Sequence, residues 1–199
     1  MKNIRLTVWI GIMCGWLAAG MLQAGTRPDN ARPAEEDGSR LWLPVMRPVE
    51  GAEVEVIYKG KVSPTIAVAI AELKNAWKGE PVLLEKKRTG QGDGFAITSS
   101  EHQVRILSST EAGLLYGVYS LLRMQAAGQV TVPLSVTEQS VYDLRILNHW
   151  DNLDGTVERG YAGCSLWNWE ELPGTLSPRY EAYARANASV GINGTVLNN

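Results

Sequence analysis

The sequence predicts an α+β domain, a mixed sheet with helices on one face, followed by the opening of a parallel β/α fold. Two capped amphipathic helices alternate with short strand-like stretches up to about residue 138. After that the order becomes strand, long loop, helix and strand, which is the order of a parallel β/α unit. The composition is that of a globular chain, with 45% apolar and 20% charged residues in 199.

The first strand-like stretches are 41–45 and 54–58. A helix comes next that opens with Ser63 as N-cap and Pro64 at its first position. Ile66, Ile70, Leu73 and Trp77 then recur at helical spacing, and Gly79 is read as the stop. Strands are expected at 82–85, 95–98 and 104–107. The Gly-rich run at 90–94 lacks the Lys-Ser/Thr of a phosphate loop and reads as a flexible hairpin turn. A Ser108-x-x-Glu111 capping box opens the second helix, which carries Leu114, Leu115, Val118, Tyr119, Leu121 and Leu122 until Gly128. Both apolar stripes need a sheet to cover.

Residues 142–148 form the next expected strand. It runs into a loop, 149–175, and Ser177-Pro178 then starts a third helix that Gly191 ends. Residues 192–198 complete the unit as a second apolar strand. Two parallel strands and one helix leave apolar faces bare. They fit the start of a (β/α)8 TIM barrel of ~250 residues, so the chain reads as an amino-terminal fragment.

Residues 1–24 carry Lys2 and Arg5, an acid-free apolar run at 6–22, and small residues near Ala24. This is the pattern of a signal peptide, with an uncleaved anchor as its alternative, and it implies export to the periplasm or beyond. Residues 25–40 read as a disordered lead-in. The domains expected after it are 41–138 and 139–199. Cys14 leaves with the signal, and Cys164 is read as a small buried hydrophobe. A net charge of −2 with no basic block argues against nucleic acid as a partner. No His/Cys spacing suggests a metal, and no cofactor is indicated.

The segment 148–171 carries the chemistry. It holds three Trp, one Tyr, five carboxylates and one Arg directly after a strand, at the end of a parallel sheet where ligands bind. Tryptophan beside Asp, Asn and Arg suits a sugar, whose C–H face packs on the ring while its hydroxyls meet the polar groups. Arg159 can also take a ligand carboxylate in bidentate fashion. The competing reading makes Trp150 and Trp167 packing residues and pairs Arg159 with Asp151, Asp154 or Glu158. Sequence alone assigns no carboxylate pair for glycoside hydrolysis among Asp151, Asp154, Glu158, Glu170 and Glu171.

Two long stretches, 145–163 (Arg-Ile-Leu-Asn-His-Trp-Asp-Asn-Leu-Asp-Gly-Thr-Val-Glu-Arg-Gly-Tyr-Ala-Gly) and 183–199, resemble the start of the catalytic barrel in α-glucuronidases of glycoside hydrolase family 67. The stretches around 94–97, 104–107 and 113–123 resemble the accessory α/β domain that precedes that barrel. The resemblance implies an enzyme that removes 4-O-methyl-glucuronic acid, α-1,2-linked to xylose, from xylo-oligosaccharides with inversion. It implies Trp150 as a wall of the glucuronic-acid pocket; Glu158 and Arg159, from the same loop, are the further candidates for substrate binding. A homodimer is among the assemblies it admits. It places the catalytic carboxylates beyond Asn199, so the chain alone is expected to be inactive. The rival expectation is a non-catalytic carbohydrate-binding or structural module that uses 148–171.

Overall fold

The computed structural model describes Leu43, residues 54–88 and residues 92–197. The signal peptide, the lead-in and most of the expected strand 41–45 lie outside these residues. Leu43 itself is buried and in no strand.

Five strands form a mixed sheet: β1 (Val56–Tyr58), β2 (Val82–Lys86), β3 (Phe95–Ser99), β4 (Val104–Ser108) and β5 (Ser135–Glu138). Their order across the sheet is β1-β2-β4-β3-β5. β1, β2 and β4 run parallel, while β3 is antiparallel to β4 and β5. Alternation decides the faces. Val82, Leu84, Val104, Ile106, Phe95 and Ile97 point to one side and are buried. Ile57, Leu83, Leu107 and the Arg105–Glu85 ion pair occupy the other, half-exposed side.

Helices α1 (Pro64–Ala76) and α2 (Glu111–Ala126) bring Ile66, Ala69, Leu73, Leu114, Val118, Leu121 and Leu122 into the same core. Gly117 is where α2 comes closest to the sheet, because a Cβ there would stand 2.5 Å from Cγ2 of Ile106. The expected α+β layering is therefore present. So is the Ser63 cap, whose hydroxyl accepts from the Ile66 amide at 3.3 Å.

Several local expectations are corrected. The run at 90–94 is no hairpin, since the strands it joins are separated by β4; the chain crosses over β4, and β3 and β4 make the hairpin instead. The cap of α2 is Thr110, whose hydroxyl accepts from the Gly113 amide at 3.0 Å. Ser108 closes β4 and donates to the Gly94 carbonyl at 2.7 Å, and Glu111 accepts from Ser63 and pairs with Lys86. Helix α1 stops at Ala76 rather than running to Gly79, because Trp77 turns extended and its indole N–H reaches the Glu80 carbonyl at 2.8 Å. Strand β5 is an addition to the strands expected from sequence, its alternation masked there by Pro133.

Beyond residue 138, β6 (Ile146–Asn148) and β7 (Gly194–Val196) pair in parallel around helix α3 (Pro178–Ser189). Both strands are shorter than expected; just before them the Asn193 amide still donates to the Arg145 carbonyl at 2.9 Å, but the Arg145 amide turns to the Asn193 side chain. The Arg145 amide donates to Asn193 Oδ1, while its guanidinium reaches Asp93 at 2.5 Å and the carbonyls of Tyr142 and Gly191. A second arginine, Arg185 of α3, pairs with Glu72 of α1 and donates to the Leu43 carbonyl. These two cations fasten the β6-α3-β7 unit to the larger sheet domain. No described helix is long and apolar enough to cross a membrane.

Candidate functional site

The loop after β6 is knit by its own backbone. The His149 amide donates to the Val196 carbonyl at 3.0 Å and so carries the parallel ladder one residue further. Asp151 bridges Val157 and Thr156 bridges Cys164, both antiparallel. Gly155 turns the chain between the first two with φ 81°. The Glu158 amide reaches back to the Trp150 carbonyl at 2.7 Å, and Asn152 Nδ2 donates to the Glu158 carbonyl at 2.6 Å. These bonds hold Glu158 at φ 55°, a left-handed conformation that costs a side-chain-bearing residue ~1–2 kcal/mol.

The three residues singled out as substrate-binding come together. Trp150, Glu158 and Arg159 line one surface cleft of 310 Å³ with Asn152 and Tyr161. Trp150 and Glu158 also line a neighbouring cleft of 320 Å³ with Asn148, His149, Asp151 and Val157. Trp150 is 54% exposed, whereas Trp167 is 7% exposed. The two tryptophans thus divide the two readings of the sequence. Trp150 stands free at the cleft, and Trp167 packs at 5.1–5.4 Å ring separations against Tyr180, His149 and Tyr183.

The charges sort equally clearly. The expected pairing of Arg159 with a neighbouring acid does not occur among the described residues, and its side chain is exposed. Glu158 instead shares a hydrogen bond with Tyr161, and that bond, followed by the carboxylate's charge, raises the Tyr161 pKa. Asp154 is taken up by the hydroxyl and amide of Thr156, which lower its pKa. Asp151 is buried; it accepts from Ser165 Oγ at 2.5 Å, and its other oxygen lies 3.5 Å from His149 Nδ1. A cation, a carboxylate, an amide and two aromatics therefore face one cleft. That set can hold a hydroxylated ring and an anionic substituent.

Cys164 is exposed, not buried as expected, because the Thr156 bridge sets it on the outer strand of the loop. Asn152 and Tyr161 join the cleft without being assigned to it from sequence. The spacing of Glu158 and Tyr161 around Gly160, which turns with φ 88°, is the signal that points there. A cleft of 430 Å³, lined by Asp93, Tyr116, Arg123 and Arg145, lies at the amino end of β6, the end of a parallel strand at which such folds do not carry their ligands.

Comparison with known proteins gives the following similarities. Residues 124–199 match the family model of the glycosyl hydrolase family 67 middle domain. The chain is 40% identical over 108 residues to a probable α-glucuronidase A of Aspergillus clavatus, covering 54% of this chain and 13% of that protein. It is 43% identical over 108 residues to the corresponding protein of Neosartorya fischeri, with the same shares covered. Among solved structures, a GH138 enzyme targeting pectin rhamnogalacturonan II superposes with a TM-score of 0.52 at 15% identity. That likeness covers 72% of this chain and 18% of the other, and speaks for the fold alone. The sequence is thus similar to the middle domain of glycosyl hydrolase family 67 over residues 124–199 and to α-glucuronidases over about half of its length, and it spans 13% of the length of those two relatives.

Proposed function

We propose that the chain is the leading part of an exported α-glucuronidase of xylan degradation. In this reading the whole enzyme cleaves the α-1,2 link between (4-O-methyl-)glucuronic acid and xylose in xylo-oligosaccharides, with inversion. Residues 41–138 serve as the accessory domain, and β6, α3 and β7 open a (β/α)8 barrel. The general acid and the water-activating carboxylate stand on barrel strands later than β7, so hydrolysis needs those strands. Trp150 packs on the uronic-acid ring and Arg159 meets its carboxylate. Glu158, oriented by Tyr161, accepts from ring hydroxyls.

The observation that carries the reading is the convergence of Trp150, Glu158 and Arg159 on one cleft at the carboxyl end of β6. Titration of the 199-residue chain with a 4-O-methyl-glucuronosyl xylo-oligosaccharide tests it, with tryptophan fluorescence as the readout. A saturable change that Trp150→Ala abolishes is expected, and an unsubstituted xylo-oligosaccharide should bind more weakly. Equal response to both sugars would favour a general carbohydrate-binding module. No response from a folded chain would sink the site.

A further inference from the structure

Trp150 presents a paradox of anchoring. Its indole is more than half exposed, yet a platform for a sugar ring must be held in one orientation before the ligand arrives. The anchoring must come from its neighbours in the chain.

Those neighbours turn inward on either side. The backbone at 149 continues the β6 ladder, so side chains alternate: His149 turns in, Trp150 turns out, Asp151 turns in. His149 Nε2 and the Tyr183 hydroxyl of α3 share a hydrogen bond of 2.5 Å. The imidazole's other nitrogen faces Asp151 Oδ1. An acid on the Nδ1 side favours the tautomer that carries its proton there, which leaves Nε2 to accept from the tyrosine. Asp151 in turn accepts from Ser165, whose oxygen also receives the Trp167 amide at 2.9 Å. Trp167 then closes the circle by packing edge-on to both His149 and Tyr183.

From this geometry we propose that His149 is a positioning residue, which together with Tyr183 and Asp151 fixes the orientation of Trp150 toward the cleft. The chain Tyr183–His149–Asp151–Ser165 joins helix α3, the end of β6 and the far limb of the loop, and Trp150 is the single outward residue between its two central members. None of the four lines the 310 Å³ cleft, although His149 and Asp151 border the neighbouring 320 Å³ cleft beside Trp150, so at the 310 Å³ cleft the network acts through the indole. That Trp150 receives a sugar rests on the function proposed above; that its orientation is set from beneath does not.

The experiment is fluorine NMR on the full chain labelled with 5-fluorotryptophan, with the Trp150 line assigned by its loss in Trp150→Phe. Tyr183→Phe removes one oxygen and keeps the ring on Trp167, and His149→Gln keeps polarity but cannot span both partners. In each, the Trp150 line is expected to broaden or to shift by more than its width, while the line of Trp77 beside α1 stays in place. Tyr180→Phe is the control. It strips a hydroxyl from the same aromatic cluster without touching His149, and should leave Trp150 unmoved.

An unmoved Trp150 line in either folded variant would overturn the proposal. So would an equal effect from Tyr180→Phe, or loss of the native Trp77 line in both variants, because the network would then be holding the fold and not aiming the indole. Adding glucuronic acid to the unsubstituted chain examines the sugar reading separately. A Trp150 line that ignores the sugar would count against that reading and leave the positioning result standing.

Discussion

Arg185 on helix α3 lies 2.5 Å from Glu72 on helix α1, 113 residues earlier in the chain, with its guanidinium 5.7 Å above the Tyr119 ring. Both charged side chains are largely buried, at 16% and 14% exposure. Removing one of them strands the other. Arg185→Leu is therefore expected to cost about 3 kcal/mol in urea unfolding, while the double replacement Arg185→Leu, Glu72→Leu recovers most of the loss. A double variant no more stable than the single one would show that the pair is not the linking element.

Tyr119, beneath that pair, has its hydroxyl pKa pushed up, first by burial and then by the charge of Glu72. The folded form therefore holds this proton more tightly than the unfolded chain, whose tyrosines titrate near pH 10. Its contribution to stability is complete below that pH and is lost as pH rises above it. Phenolate absorbance of Tyr119 should appear together with alkaline unfolding, and Tyr119→Phe should move that transition to higher pH. Free titration of every tyrosine in the folded chain would contradict this.

The two tryptophans of the loop should behave as opposites. Trp167→Ala is expected to cost ~3–5 kcal/mol because it empties a buried aromatic cluster. Trp150→Ala is expected to shift stability by about 0.5 kcal/mol or less and to remove sugar binding. Parallel melting curves and titrations read both effects.

Glu158→Gly should raise the melting temperature, since glycine adopts φ 55° without the ~1 kcal/mol penalty that glutamate bears. The same change removes the carboxylate from the cleft and should weaken binding. A variant both more stable and less competent would mark Glu158 as held in place for function.

At Gly117 the fold leaves no room. Gly117→Ala sets a methyl group against Ile106 and the Phe95 ring, and is expected to lower stability by ~1–3 kcal/mol, read by chemical unfolding.

Much of this is legible in the chain itself, for reasons that differ by element. The helices announce themselves because Ser63-Pro64 and Ser177-Pro178 satisfy orphaned amides locally, and Gly128 and Gly191 supply the left-handed turns that end them. The start of the second helix is ambiguous in sequence, because Ser108 and Thr110 are both good caps. Only the Gly94 carbonyl, which takes the Ser108 hydroxyl, decides between them. The order of strands is not a local property. Whether 90–94 folds back as a hairpin depends on β4 inserting between its flanking strands, which no window around the glycines records. In the same way Trp150, Glu158 and Arg159 are readable as a composition, but the network of His149 with Tyr183 joins residues 34 apart and exists only once α3 has docked.

Arg145 makes that docking a matter of timing. Its guanidinium needs Asp93, at the entry to β3, and Tyr116 of α2, over whose ring it lies at 5.6 Å. All five strands of the mixed sheet and both of its helices precede residue 139. Where the chain emerges amino end first and units fold as they appear, the acid and the ring are in position before the arginine that seeks them is free to move. The sheet domain then serves as a mould for the rest of the chain. The strand that carries the tryptophan loop starts beside a landing point already built, and β7 then has a fixed neighbour from which to take its register.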